Sequence, residues 1–407
     1  MPREPLGADY RQLWRATAIS NLGDGVFLVT FPLLAASVSR DPIAVSAVTL
    51  ALTVPWVLFA LVSGALVDRW DRLVVMRRVD VIRAVLTATL ALVVLLRLVT
   101  IPGLIGFAFL LGTAETMFDT ASLAAVPSIV GPSPDRLHAA NARLENARLV
   151  ANDFVGPPVG GALFALTPAL PAIVDAVSFL ASTLLLHRIP TREGSPRPAA
   201  RSTIHQEITE GLRWLWTQPI LPTLAAVVGI INLGFMAATT VLVLLLDERT
   251  DVGSFGYGLI LGLGAVGAVA GNLLAERFGR RLPLGLTLGA TTTLIGAALT
   301  TIAIRPTAPV ITACFAAAGC AGAVWNVLTV SLRQTVIPGP LLGRVNSVYR
   351  LVAYGTMPAG ALLGGTIASS AGLTAPFLMA GILVLATTPI VIAIVTPAAL
   401  SALHPAE

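Results

Sequence analysis

The sequence predicts an all-α membrane protein with twelve transmembrane helices in two pseudo-symmetric six-helix bundles. Three observations support this fold class. Of the 407 residues, 56% are hydrophobic and only 12% are charged, whereas soluble domains carry about 25% charged residues. Apolar segments long enough to cross about 30 Å of hydrocarbon recur along the chain. The second half of the chain also repeats motifs of the first half in the same order.

Each predicted helix is a continuous apolar run of roughly 17 to 25 residues. Strands of a membrane barrel would be shorter and would alternate in polarity, so a barrel is excluded. The first apolar run follows a polar start and is too long for a cleavable signal peptide, so we interpret it as the first span. The predicted spans are 13–38, 43–66, 74–98, 102–126, 142–166, 170–186, 221–246, 257–275, 282–304, 310–332, 348–367 and 373–395.

The arginines predict the orientation. The chain has no lysine, and 21 of its 26 arginines fall in the N-terminal tail or in the loops that follow even-numbered spans. Only Arg40, Arg97, Arg249 and Arg305 fall in the other loops, and Arg83 lies within span 3. The positive-inside rule therefore predicts a multi-pass protein of the cytoplasmic membrane, in contact with lipid, with both termini in the cytoplasm. The high pI reflects this bias and does not indicate nucleic-acid binding.

The longest non-apolar stretch, 188–220, separates six spans from six. We predict an N-terminal bundle at 1–188, a cytoplasmic linker at 189–218 and a C-terminal bundle at 219–407. The end of the linker places four apolar residues on one helical face beside two tryptophans, which predicts a helix in the membrane interface. The alternative is a simple cytoplasmic lead-in to span 7. The four apolar residues are Ile204, Ile208, Leu212 and Leu215.

A charged motif between spans 2 and 3 recurs between spans 8 and 9. Its pattern of acid, arginine, any residue, glycine or aspartate, and arginine resembles the signature of the major facilitator superfamily of transporters. An acid at this site can cap the N-terminal end of a neighbouring helix. The resemblance implies a gate that closes the cytoplasmic side against helix 11, near Arg344; the alternative is charge that only sets topology. The predicted gate residues are Gly64, Asp68, Arg69, Arg72, Glu276, Arg277 and Arg280.

Span 5 carries the run Gly-Pro-Pro-Val-Gly-Gly at 156–161. Small residues let helices approach closely, and proline bends a helix. The run resembles the core of the antiporter motif of exporters, with predicted motif residues Gly156, Pro157, Gly160 and Gly161, although Asn152 stands where a glycine is usual. The alternative is ordinary small-residue packing, as in glycine-rich span 8.

Further motifs at 21–25, 175–179 and 210–214 make the whole chain resemble the drug:proton antiporter branch, which includes macrolide-efflux and enterobactin-exporter proteins. The resemblance implies a monomeric secondary transporter that exports a lipophilic or amphiphilic small molecule by alternating access, coupled to protons. Two alternatives stay open: a proton-coupled importer of a small metabolite, and a membrane receptor or assembly factor that transports nothing.

Acids inside the spans are the candidates for proton coupling. An ionised carboxylate at this depth costs at least about 2.5 kcal/mol unless it faces water or a partner, so we expect a cavity that favours neutral or cationic cargo. Asp24 is the preferred proton carrier because Gly23 and Gly25 leave room for water beside it; Glu115 and Asp119, one turn apart, could instead share a proton. The resemblance adds residues of helices 1, 7 and 10. The predicted cavity residues are Asn21, Asp24, Glu115, Asp119, Asn232, Trp325 and Asn326.

The alternative for these acids is permanent pairing with buried arginines or amides. Asp80 and Arg83, three apart in span 3, are predicted to be such a structural pair. Span 4 lacks the arginine that many proton-driven exporters carry. The four histidines lie without partners in loops, helix ends or the tail, and the two cysteines are poorly spaced for a disulfide or metal. We therefore expect no enzymatic activity, no cofactor and no metal.

Overall fold

The computed structural model describes residues 6–67, 70–131, 133–190, 204–396 and 398–399, and every regular element among them is helical. The predicted all-α class is confirmed. The helices are α1 Ala8–Leu28, α2 Thr30–Val38, α3 Pro42–Val67, α4 Arg72–Leu95, α5 Ile101–Val130, α6 Pro134–Arg148, a π-helix Leu149–Val155, α7 Gly156–Leu166, α8 Leu170–His187, α9 Ile204–Thr217, α10 Leu221–Thr240, α11 Leu242–Arg249, α12 Gly253–Arg281, α13 Leu284–Ile304, α14 Ala308–Val336, α15 Gly339–Gly355, α16 Met357–Ala371 and α17 Ala375–Ile394.

Within the described residues, eleven helical segments are long and apolar enough to cross a membrane. The remaining predicted span, span 3, corresponds to α4, which has 24 residues and is therefore about 36 Å long. Its apolar part also carries three charged residues, Arg78, Asp80 and Arg83, of which Asp80 and Arg83 are buried. Many large apolar side chains on the helix surfaces are exposed, among them Leu184 and Leu273, and lipid tails are the solvent that suits such a surface.

Four spans consist of two helices each: α1 with α2, α6 with α7, α10 with α11, and α15 with α16. Proline explains three of the breaks, because it lacks the backbone N–H that the carbonyl four residues earlier needs. Pro32 follows the break after α1, Pro157 follows the π-helix, and Pro358 follows the break after α15. The break at Val241 has no proline and follows two threonines, whose β-branched side chains favour helices less. The broken spans are thus spans 1 and 5 and their repeats, spans 7 and 11.

Internal contacts divide the chain into two compact units. Unit 1 comprises Met1–Ser39, Ala51–Ala199 and Val252–Gly262. Unit 2 comprises Arg40–Leu50, Ala200–Asp251 and Leu263–Glu407. Each unit has its own buried apolar core, formed in unit 1 around Met76 and Phe118 and in unit 2 around Leu224 and Val345.

The predicted helix at the end of the linker is present as α9. Leu215 is buried in the core of unit 2, whereas its neighbour Trp216 is 70% exposed. Glu210 forms an ion pair with Arg344 at the start of span 11. The helix is therefore attached to α15 by an apolar contact and a charged one; its location in the membrane interface stays a prediction.

Candidate functional site

A buried arginine organises the polar interior of unit 1. Arg83 on α4 is 3% exposed and forms an ion pair with Asp24 of α1. Its other terminal nitrogen lies 3.8 Å from an oxygen of Asp80, which is completely buried. The guanidinium lies over the ring of Phe179, 4.0 Å from the centroid. The predicted Asp80–Arg83 pair is thus present, but the sequence did not reveal that the same arginine holds Asp24.

Helix α8 completes this cluster. Asp175 is 1% exposed, interacts electrostatically with Asp24 and Arg83, and accepts a hydrogen bond from Ser178 at 3.3 Å. These two side chains occupy the space beside Gly23, where an added Cβ would overlap them. The sequence pointed to Asp175 only as part of a family motif. An acid within an apolar span was the available signal.

The glycines beside Asp24 do not make room for water. Gly23 contacts Asp175 and Ser178 of α8, and Gly25 contacts the backbone of Asn152 in the π-helix. The sequence-based argument that the missing side chains admit water to Asp24 is therefore wrong, because neighbouring helices fill both gaps. The Asp24 side chain is nevertheless 19% exposed.

Glu115 and Asp119 lie one turn apart on α5, both half-buried. Glu115 interacts electrostatically with Asp24, Asp119 and Arg83, yet among the described residues it has no hydrogen-bond or ion-pair partner. Protonation of Asp24 would break its ion pair with Arg83; protonation of Glu115 breaks none. Among the described residues, Asp24 is therefore ion-paired and Glu115 is not.

Arg148, at the end of α6, is a second arginine near these acids. It pairs with Glu145 at 2.8 Å and with Asp153 at 3.3 Å, and its charge also acts on Asp119 and Glu115. Arginines from α4 and α6 therefore act electrostatically on the acids of α5, which itself carries no arginine. A sequence pattern restricted to one span could not show this.

The remaining predicted cavity residue of unit 1, Asn21, bonds within its own helix. Its Nδ2 donates to the carbonyl of Thr17 at 2.8 Å. In unit 2, by contrast, Nδ2 of Asn232 donates across helices to the carbonyl of Ala353 in α15, at 2.7 Å.

The structure brings Asn232, Trp325 and Asn326 together around one cavity of about 270 Å³ in unit 2. Trp325 is 3% exposed, and its Nε1–H has no hydrogen-bond partner among the described residues. Arg333 and Tyr349 also line this cavity, although the sequence indicated neither. The sequence placed Arg333 in a loop, because span 10 was predicted to end at 332. In the structure α14 continues to Val336, so Arg333 lies in its last turn and lines the cavity.

The glycines of the predicted antiporter motif lie at a close helix crossing. An added Cβ on Gly156 would overlap Gly25, and one on Gly160 would overlap the carbonyl of Val26. Gly161 lies against α12, where Ser254 donates to its carbonyl at 3.0 Å. Only glycine permits this approach of two backbones.

The same crossing recurs in unit 2. A Cβ on Gly360 would overlap the carbonyl of Leu233, and one on Gly364 would overlap that of Ala237. Spans 5 and 1 thus cross in the same way as spans 11 and 7. The repeat seen in the sequence therefore extends to backbone packing.

The predicted gate is only partly visible. Asp68 and Arg69 lie outside the described residues. Gly64 lies in α3 and Arg72 begins α4. The capping acid that the structure shows is Asp71, which accepts from the backbone N–H groups of Leu73 and Val74 at 2.8 and 3.0 Å; aspartate is a preferred residue for such a cap.

The second copy of the gate motif is not a loop. Glu276, Arg277 and Arg280 lie in the last turns of α12, and Glu276 forms an exposed ion pair with Arg280 one turn later. The prediction of a loop was wrong because no strong helix breaker precedes Pro283, and a pair at this spacing favours helix.

Comparison with known proteins identifies the family of this chain and two similar transporters. The profile of a family described as "Transmembrane secretion effector" matches residues 4–406. The multidrug efflux pump Tap of Mycolicibacterium fortuitum is 31% identical over 378 residues, which are 89% of this chain and 90% of Tap. The enterobactin exporter EntS of Escherichia coli is 26% identical over 263 residues, which are 63% of this chain and 62% of EntS.

A solved structure has the same fold. A bacterial homologue of the iron transporter ferroportin in its inward-facing state superposes with a TM-score of 0.72 at 20% identity, over 95% of this chain and 97% of that one. The predicted twelve-helix fold in two pseudo-symmetric bundles agrees with this likeness.

Proposed function

Because this chain belongs to the transmembrane secretion effector family of the major facilitator superfamily, we propose that it exports a lipophilic or amphiphilic small molecule across the cytoplasmic membrane by alternating access. The observation that carries this proposal is the end-to-end match to that family, together with the 31% identity to a multidrug efflux pump. The chain is an efflux transporter of this superfamily; the coupling, the cargo and the orientation are what we add.

Protons drive the export in this proposal. The buried cluster of Asp24, Arg83 and Asp175, with Glu115 beside it, supports this view because carboxylates inside a membrane mark proton pathways. Glu115 is our preferred proton carrier since it has no ion-pair partner among the described residues, and Asp24 and Asp119 are the alternatives. One proton moving through 100 mV supplies about 2.3 kcal/mol, which sustains roughly a fifty-fold gradient of a neutral cargo.

Movement of the helices is supported by the four broken spans. Breaks in spans 1, 5, 7 and 11 lie next to the glycine crossings, and discontinuous helices are typical of the moving parts of secondary transporters. In our proposal both termini and the gate motif face the cytoplasm, Asp68 and the arginines near it close that side, α9 lies in the interface, and the chain acts as a monomer.

Accumulation of dyes and antibiotics tests the proposed direction of transport. A host without its own pumps would express the parent chain or Glu115→Gln, with empty-vector cells as the background. The parent is expected to lower cellular accumulation of at least one hydrophobic compound, and a protonophore is expected to restore it. Faster uptake without efflux would contradict export. Unchanged accumulation of every compound, with the chain correctly inserted, would support a receptor.

A further inference from the structure

Two residues that line the cavity in unit 2 carry hydrogen-bond donors without a partner among the described residues. Arg333 is 8% exposed and its Nε has no hydrogen-bond partner among the described residues. Trp325 is 3% exposed and its Nε1–H is likewise unpartnered there. A buried donor without an acceptor is unfavourable, and more so when the group is charged. Both residues line the same cavity, so a small movement of either side chain would bring its donor to an acceptor bound there.

The other polar side chains that line the cavity supply no negative charge to Arg333. Asn232 uses its Nδ2 on the carbonyl of Ala353, and the hydroxyl of Tyr349 donates to the carbonyl of Leu224 at 3.2 Å. Arg350 adds a second positive charge, and no carboxylate is among the described residues that line the cavity. An anion therefore suits this cavity, and a cation does not.

Partial compensation already exists for Arg333. Its guanidinium lies 3.7 Å from the centroid of the Tyr349 ring, and the residue is in the last turn of α14, where the helix dipole favours a cation. These contacts offset part of the cost of burying the charge. They leave the Nε–H group and the indole N–H without an acceptor among the described residues.

The size of the cavity limits the group that enters it. A volume of about 270 Å³ equals the space of roughly nine water molecules. This space accommodates an aromatic ring with one charged substituent but not a whole drug-sized molecule. Trp325 and Tyr349 provide aromatic surfaces for such a ring.

We propose that this cavity binds an oxyanion carried on an aromatic ring, with Arg333 and the indole N–H of Trp325 as its donors. The proposal rests on the function proposed above and specifies the chemistry of the cargo. It replaces the expectation from the acids of unit 1 alone that cargo is neutral or cationic. Since Arg83 holds Asp24, the acids do not simply present negative charge to the cargo.

Binding of a matched pair of probes tests the proposal. The purified full-length chain in detergent would be titrated by calorimetry with 2-naphthoate and with the uncharged 2-naphthamide. We expect saturable binding of naphthoate and binding of naphthamide at least about tenfold weaker. Arg333→Gln should weaken naphthoate about ten- to a hundredfold, Arg333→Lys less, and Trp325→Phe about three- to tenfold. Arg305→Gln, at an exposed residue outside this cavity, should leave binding unchanged.

Equal binding of the two probes, or unchanged binding to Arg333→Gln, would overturn the proposal. A second result would also overturn it. If submicellar dihexanoylphosphatidylglycerol displaced naphthoate at lower concentrations than naphthoate needs to bind, and if this displacement depended on Arg333, the cavity would be a site for a lipid headgroup. Arg333→Lys and Trp325→Phe keep the test valid if Arg333→Gln fails to fold. Since binding requires no transport, failure of this proposal and failure of export are separate results.

Discussion

Units 1 and 2 share a helix scaffold and differ in the charges inside it. Both have a span pair that crosses at two glycines, Gly156 and Gly160 in one and Gly360 and Gly364 in the other. Unit 1 buries acids around a central arginine, whereas the cavity of unit 2 is lined by arginines and aromatic rings without a described acid. The helix packing is repeated in the two units but the charged groups are not. We therefore infer that the two units have different functions.

We interpret this difference as one scaffold that binds a proton in unit 1 and an anionic cargo in unit 2. In our proposal the repeated small residues allow the helices to move, which requires the same close packing in both units. The acids of unit 1 suit protons, and the unpaired donors of unit 2 suit an anionic group on the cargo. We therefore expect substitutions of the scaffold to act alike in both units, and substitutions of the charged groups to act differently.

The largest expected effect comes from Arg83→Gln. Removing one partner of a buried charge cluster costs about 3–5 kcal/mol, because Asp24 and Asp80 lose their shared cation. We expect a strongly lowered melting temperature in detergent and no transport. The matched control is Arg280→Gln, which removes an ion pair whose side chains are 77% and 72% exposed and should change stability by less than about 1 kcal/mol. Equal melting temperatures of the two variants would contradict a central role for Arg83.

The gate motif should respond differently in its two copies. Asp68→Asn is expected to abolish transport while the chain stays inserted, since arginines and not acids set topology. Glu276→Gln should retain most of the transport activity, because the ion pair that Glu276 forms among the described residues is an exposed one with Arg280 at the end of α12. Dye efflux, with membrane abundance measured on the same cells, checks both. Normal efflux by Asp68→Asn would contradict a gate at this motif and would indicate that its charges only set the topology.

A smaller effect, equal in the two units, is expected from Gly160→Ala and Gly364→Ala. Each added methyl group would meet a backbone carbonyl of the crossing helix, and overpacking of this kind costs about 1–3 kcal/mol. Gly106→Ala is the control because nothing lies within 4 Å of its Cβ position. Melting temperatures should fall together for the first two variants only; a fall in one unit alone would break the symmetry of the scaffold.

The sequence predicted the helices well and their breaks poorly. Span length depends on hydrocarbon thickness and is visible as apolar runs, so α13 begins and ends within two residues of its predicted bounds. The break at Val241 depends on contacts between helices and has no proline to mark it. The turn predicted at Glu276 was wrong because helix propensity extends past the apolar run.

Candidate residues were predictable where polarity itself is unusual. Asp24 and Glu115 stand out because acids are rare within spans. The partner of Asp24 was not predictable, since Arg83 lies 59 positions away and had a nearer acid in Asp80. Arg333 was missed because an arginine next to a predicted helix end is common, and only the structure shows its guanidinium in a cavity.

Transport in proteoliposomes can separate the proposed proton site in unit 1 from the proposed cargo site in unit 2. Proteoliposomes containing the parent, Glu115→Gln or Arg333→Gln would be loaded with 2-naphthoate, and its movement recorded with and without an imposed pH gradient. We expect Glu115→Gln to exchange naphthoate across the membrane but no longer to respond to the gradient. We expect Arg333→Gln to lose naphthoate transport under both conditions. A gradient response that survives in Glu115→Gln and in the matching Asp24→Asn and Asp119→Asn variants, or normal naphthoate transport by Arg333→Gln, would contradict the account.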